Sequence, residues 1–166
     1  AIWALMEARG SQVTARLREL AEKDQNPSIR IAALGASRLR GEAADVPWLA
    51  TRILADQCAE EEKVNALEML LMIVPRFFGR EVLVIGFDKV KIEKVLLQCL
   101  AFSLDTPNGY LSFTAATHAH SLKRKALPIL YRSLRVKGHA MSTYEAIFKS
   151  IGKVKDKRAL DFLLAT

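Results

Sequence analysis

The chain has 166 residues, of which 51% are hydrophobic and 26% are charged, and this composition excludes a disordered protein. The length fits a single domain over 1–166, and no run of about 18 apolar residues is present to cross a membrane. Five prolines and eight glycines are too few for the turns of an all-β protein.

Apolar residues recur at three- and four-residue spacing along nearly the whole chain, which predicts short helices with brief connections. The clearest helix spans 27–40, where Asn26 is placed to cap the start, Pro27 suits the first turn, and Gly41 can take the left-handed conformation that ends a helix. A second clear helix spans 60–74. The other predicted helices span 12–23, 45–56, 91–104, 110–121, 124–136, 141–153 and 157–166.

A repeat underlies this helical pattern. The sequence from Arg30 to Leu34 corresponds to 63–67 at an offset of 33, and Ala146 belongs to a looser third copy. One helical hairpin cannot bury its apolar face alone, so hairpins stack and share a core. Alanines at equivalent positions allow helices to approach closely, and we expect Ala33, Ala66 and Ala146 to be buried.

The runs Asn26-Pro-Ser-Ile-Arg-Ile-Ala-Ala-Leu34 and Ile151-Gly-Lys-Val-Lys-Asp-Lys-Arg-Ala-Leu160 resemble HEAT-like repeats, in the short variety of phycobilisome lyase-type proteins. The resemblance covers 11–74 and 123–166. It implies an all-α, right-handed α-solenoid of about four helical hairpins with flanking half-repeats. Because both ends read as half-repeats, whereas a solenoid normally ends in polar capping repeats, we expect the chain to be part of a longer array. In that family the second helix of each pair lines the concave, partner-binding surface. These helices would be 27–40, 60–74, 110–121 and 141–153.

Residues 75–89 interrupt the repeat, since corresponding positions on either side are about 14 residues further apart than the period requires. The segment is apolar and includes Phe77, Phe78 and Phe87. Two interpretations are open. The segment is an insertion that packs against the repeats, or it is a loop that binds a partner or a second copy.

The net charge of +7 is concentrated near one end of the chain. Residues 123–158 contain eleven basic and two acidic residues, whereas the remainder carries a formal charge of −2. This distribution is typical of a surface for an anionic partner, although a solvated helix face explains it equally well. The candidate partner-binding residues are Arg30, Arg38, Lys63, Arg132, Arg135, Lys149, Lys153 and Lys155.

No pattern in the sequence points to catalysis, a cofactor or a metal. His118 and His120 would lie on opposite sides of a helix, and the acidic run 60–62 suits a helix start. Two cysteines, Cys58 and Cys99, are too few for a disulfide framework, which favours a reduced, intracellular, cytoplasmic protein.

The sequence therefore predicts a non-catalytic scaffold or adaptor that binds another macromolecule through a concave or basic helical surface. A protein partner, acidic in character, fits this prediction best. The alternative is a module that binds the phosphate backbone of a nucleic acid, and aromatic residues for stacking bases are sparse in the basic region. A third hypothesis is a HEAT-like enzyme or enzyme-accessory protein, such as a lyase-like factor.

Overall fold

The computed structural model describes residues 11–38, 41–78, 89–107 and 109–156. Every regular element within these ranges is a helix, which confirms the predicted all-α class. The chain divides into two compact units, residues 1–92 and 93–166. Among the described helices, none has both the length and the apolar character that crossing a membrane requires.

The described part of the first unit contains two helical hairpins. Helix α1 (Ser11–Lys23) packs against α2 (Pro27–Ser37), and α3 (Val46–Leu54) packs against α4 (Glu60–Phe78). Helices α2 and α4 also pack together, so the second helices of the two hairpins are neighbours. The core of this unit includes the fully buried side chains Leu17, Leu34, Leu49, Ile53, Leu67 and Leu70.

The second unit has a core of its own. Helix α5 (Lys89–Asp105) crosses the boundary between the units and is followed by α6 (Tyr110–His118), α7 (Leu127–Ser133) and α8 (Met141–Val154). Helix α8 packs against α6 and α7, and a 3-10 segment, Ala119–Ala126, contacts all three. The buried core includes Leu100, Leu104, Leu111, Leu130 and Ile147.

The helix starts follow the local rules read from the sequence. The Asn26 side chain accepts a hydrogen bond of 2.9 Å from the Ser28 N–H, and Pro27, Pro47 and Pro128 each lie in a first helical turn. Helix α7 begins at 127 and not at 124 as predicted. A start at 124 would place Pro128 in the helix interior, where its ring clashes with the preceding turn.

The predicted role of Gly41 is wrong. Helix α2 ends at Ser37, and Gly138 is the one glycine with a positive φ within the described ranges. Gly41 is buried instead, and a Cβ there would meet side-chain atoms of Ile73 and Met69. The residue is small because α4 passes close to it, and not because a helix ends there.

The second clear helix ends later than predicted. Helix α4 runs on through Pro75 to Phe78, four residues beyond the predicted end at 74. Helix α5 begins at Lys89, so the two ends of the predicted insertion 75–89 are helical. Residues 79–88, which include Phe87, lie outside the described part of the chain.

The repeated alanines are at helix contacts, as predicted. Ala33, Ala66 and Ala146 are buried in α2, α4 and α8, the second helices of three predicted hairpins. A methyl group is small enough for the neighbouring helices, α2 with α4 and α6 with α8, to approach closely.

Candidate partner-binding surface

Helix α8 has one face in the core and one face in solvent. Its buried side is formed by Thr143, Ala146, Ile147, Ser150 and Ile151, and the Ser150 hydroxyl donates a hydrogen bond to the Ala116 carbonyl of α6. On the opposite side four residues lie at spacings of four, three and four, which places them along one line of the helix surface. We call this line the α8 stripe; it consists of Met141, Glu145, Phe148 and Gly152.

The α8 stripe exposes apolar surface beside positive charge. Met141 is 74% exposed and Phe148 is 47% exposed, and both lie on the same side of the helix. Lys149 and Lys153, four residues apart, follow one edge of the stripe. Lys149 Nζ lies 3.7 Å from Glu145 Oε2, and both side chains are largely exposed, so this pair stabilises the helix only weakly.

The cations of the second unit differ in how far acids neutralise them. Arg132 lies 2.6 Å from Asp105, Arg124 lies 3.1 Å from Asp156, and Lys125 pairs with Glu93. Six exposed cations form no ion pair with a described residue: Lys94, Lys123, Arg135, Lys137, Lys153 and Lys155. The uncompensated charge is therefore spread over the unit and includes Lys153 and Lys155 at the end of α8.

The predicted cations of this unit are spread along α7, α8 and the turn between them. Arg132 and Arg135 lie beside the α7–α8 turn, where the Tyr144 hydroxyl donates to the Val136 carbonyl. Lys149 and Lys153 are roughly 8 Å and 14 Å further along the axis of α8 than Tyr144. Since screening in physiological salt acts over about 8 Å, Lys153 acts largely separately from the two arginines.

His120 lies near the positive charge at the end of α8. The Nδ1 atom of His120 lies 3.0 Å from the Thr117 carbonyl, which favours the neutral tautomer that donates from Nδ1. Partial burial lowers the pKa of His120 and the nearby charge of Lys153 lowers it further, while the hydrogen bond to Thr117 opposes the shift and His118 adds a smaller lowering. A ligand that neutralises Lys153 would relieve part of this effect.

The candidate residues of the first unit have partners within the chain. Arg30 Nη2 lies 2.6 Å from Glu62 Oε1, and Arg38 Nη1 lies 2.7 Å from Glu68 Oε2, so Arg30 of α2 and Arg38 directly after it both bind acids of α4. Lys63 is half-buried in α4. The carboxylate of Glu62 is 1% exposed and Arg30 22% exposed, so Arg30 serves the fold of this unit.

A second arginine, Arg52, completes the Glu62 site, and no pattern in the sequence indicates it. Arg52 Nη1 lies 3.2 Å from Glu62 Oε2, so each carboxylate oxygen has its own guanidinium. Arg52 also stacks on the Trp48 ring at 5.3 Å from the ring centroid, and Arg18 approaches the same ring at 5.7 Å. Residues 60–62 were interpreted only as a helix start, because charged residues are seldom buried without a partner and the partners lie far away in sequence.

The described residues offer no constellation for covalent or metal chemistry. No group of three or more His, Cys, Asp or Glu side chains within them is arranged to hold a metal ion. Burial raises the pKa of the Cys99 thiol to about 12, so this cysteine is not a nucleophile at neutral pH. Cys58 is half-buried and also free.

The predicted interaction loop is largely outside the described part of the chain. Phe77 and Phe78 are the last residues of α4, but their side chains are not among those described, and neither is Phe87. Whether these residues bind a partner stays a prediction.

Comparisons of the chain with protein-family models, with curated proteins and with solved structures found no match. The candidate surface therefore rests on the geometry of α8 and its neighbours alone.

Proposed function

We propose that the chain is a HEAT-like repeat scaffold that binds an acidic segment of a partner protein through the exposed side of α8. The observation that carries the proposal is the combination on one helix of the exposed apolar residues Met141 and Phe148 with the exposed cations Lys149 and Lys153. Protein interfaces combine an apolar centre with a polar rim in this way.

The stacking of the hairpins supports the repeat part of the proposal. Helices α2 and α4 are neighbours in the first unit, and α6 and α8 are neighbours in the second. In each pair the second helices of consecutive predicted hairpins pack together, as expected when every hairpin shares its core with the next. Such a scaffold presents a row of helices to its partner.

The same charges are compatible with a nucleic acid, so the test must separate the two partners. Crosslinking of the whole chain in cell extract, followed by mass spectrometry, identifies a protein to titrate beside a generic DNA duplex. The variant Lys149→Gln/Lys153→Gln is compared with Arg16→Gln/Lys23→Gln, which removes the same charge from exposed positions of α1. We expect only the first variant to weaken binding of the protein partner.

The salt dependence identifies the kind of partner. Contacts with phosphates release counterions, so the affinity for DNA falls with salt with a log–log slope of about 0.9 for each phosphate that is neutralised. An acidic protein shows a shallower dependence and loses affinity through specific charge pairs. Equal binding of the protein partner by both double variants would contradict the proposal.

A further inference from the structure

Gly152 lies in the last turns of α8 without any reason that the described chain supplies. A glycine within a helix costs about 1 kcal/mol relative to alanine, because it loses more conformational freedom on folding. Elsewhere close packing explains a glycine, as Ile73 does for Gly41. At Gly152 the position of a Cβ meets no atom of the described chain within 4 Å. The α8 stripe therefore has unoccupied space at Gly152, where any other residue would place a side chain. We call this space the open point of the stripe.

The residue at the end of the same helix also departs from the usual residue preference. Lys155, directly after α8, has φ 54° and ψ 37°, the left-handed conformation that glycine adopts most easily at a helix end. The sequence thus places a lysine where a glycine would stabilise the helix end and a glycine where any helix former would stabilise the helix. Local rules broken in this way are expected at functional positions.

We infer that the α8 stripe is a docking seam for an amphipathic helix with an acidic edge, supplied by a partner protein. The backbone of that helix approaches α8 most closely at Gly152, since the missing side chain leaves room for it. Phe148 and Met141 contact the apolar face of the docked helix, and Lys149 and Lys153 face its acidic edge. This inference rests on the proposed function and defines its site.

Charge complementarity favours a partner protein over a second copy of this chain or its own segment 157–166 as the occupant of the seam. The residues of α8 and its end that face solvent include Lys149, Lys153, Lys155 and a single acid, Glu145. A second copy of α8 would bring a helix of the same positive sign. The segment 157–166 of this chain opens on Lys157 and Arg158, which the lysines of α8 repel.

The test uses the whole chain and a synthetic helical peptide of about 18 residues, which is five helical turns. The peptide carries leucine and alanine on one face and glutamate along both edges. A matched peptide has lysine in place of every glutamate, so it keeps the apolar face. Fluorescence anisotropy of the labelled peptides gives both dissociation constants. We expect the acidic peptide to bind at least about tenfold more tightly than the basic one.

Substitutions distinguish the effect of the open space at Gly152 from the effect of the lysine charges. Gly152→Leu places a side chain at the open point, where a Cβ meets no described atom, and it replaces a poor helix former with a good one. We expect its thermal midpoint to be no lower than that of the wild type while its affinity for the acidic peptide falls about tenfold or more. Ala32→Leu, at an exposed position of α2, adds the same bulk elsewhere and should leave the affinity unchanged. Phe148→Ala should weaken binding, since it removes the largest apolar contact.

Four results would overturn the inference. Unchanged affinity of Gly152→Leu together with a loss in Lys149→Gln/Lys153→Gln would refute the seam but leave the basic surface of the proposed function intact. A wild-type dimer in light scattering that Gly152→Leu converts to a monomer would assign the seam to a second copy. Binding of the peptide only after Phe162→Glu would assign it to the segment 157–166. Failure of the acidic peptide to bind at low salt would refute the seam outright.

Discussion

A Cβ atom on Gly41 would stand 2.8 Å from both Cγ1 and Cδ1 of Ile73, a distance that real side chains do not adopt. Ile73 is 1% exposed in α4, so it cannot move away into solvent. Position 41, which precedes the 3-10 turn and α3, therefore has room only for glycine, because side chains of α4 lie too close for a Cβ atom.

Gly41→Ala should lower the free energy of unfolding by about 1–3 kcal/mol through overpacking. The double variant Gly41→Ala/Ile73→Val lacks the Cδ1 atom of the isoleucine, so it should recover part of that loss. A double-mutant cycle in urea measures the coupling. Strictly additive effects would show that Ile73 is not the neighbour that excludes a side chain.

Arg30 of α2 and Arg38 directly after it provide a matched pair for comparing a buried ion pair with an exposed one. Arg30→Met leaves Glu62 buried with one guanidinium, and we expect a loss of about 2–4 kcal/mol in unfolding free energy. Arg38→Met breaks the exposed pair with Glu68, and we expect less than about 1 kcal/mol. Denaturant melts of both variants check the difference, and equal losses would mean that the Glu62 site is open to water.

The contact made by Ala66 tests the packing of α2 against α4. Ala66 is completely buried, so Ala66→Asp places an unpaired charge in the core and should cost several kcal/mol, about enough to unfold the first unit. Glu61→Ala, at an exposed position of the same helix, should change stability by less than about 0.5 kcal/mol. Circular dichroism melts that coincide for the two variants would contradict the register of α4.

His139 should make the second unit less stable in mild acid. The ring is 8% exposed beside Tyr144, and burial lowers its pKa from 6.5, although the Leu104 carbonyl and the Asp105 carboxylate oppose this effect. Below about pH 6.5 the unfolded chain binds a proton that the folded chain does not, so stability falls as the pH falls.

The variant His139→Phe keeps an aromatic ring against Tyr144 and removes the titrating group. Its thermal midpoint should therefore change less between about pH 7.5 and pH 5 than that of the wild type. His120 also has a lowered pKa and stays in both proteins, so the comparison isolates His139. Identical pH profiles would show that His139 titrates alike in the folded and unfolded chains.

The two cysteines should react with a thiol reagent at very different rates. Cys99 is buried with a pKa raised to about 12, whereas Cys58 is partly accessible. Under native conditions at pH 8 we expect Cys58 to be labelled and Cys99 to react only through unfolding. Mass spectrometry of the labelled peptides checks this order. Fast labelling of Cys99 in the native protein would contradict its burial.

Helix positions were predictable from the sequence because periodicity and helix starts are local properties. The structure confirms helices close to the predicted 60–74 and 141–153 and the capping of α2 by Asn26. The end of α2, the continuation of α4 beyond residue 75 and the 3-10 segment before α7 were missed. Helix ends depend on tertiary neighbours, as the contact of Gly41 with Ile73 shows, and such neighbours are not visible in a single sequence.

The candidate site was predictable in composition but not in arrangement. The excess of basic residues after residue 122 is visible in the sequence, and so is the pairing of Lys149 with Lys153 on one face. The structural role of Arg30 was not predictable, because it depends on an ion pair with Glu62, a buried residue thirty-two positions away in the sequence. Open space at Gly152 is likewise a property of what surrounds α8 and has no signal in the sequence.

The ion pairs of the Glu62 carboxylate also couple the local unfolding of the first hairpin to that of the second. Arg30 donates to the carbonyls of Asp24 and Gln25 in the α1–α2 turn, and Arg52 of α3 donates to the Glu22 carbonyl at the end of α1. Detachment of the first hairpin would leave an acid of α4 half-paired and backbone carbonyls without donors. Amide protons of α1 and α4 should therefore exchange with solvent through one common opening, and the two hairpins should not fray one after the other.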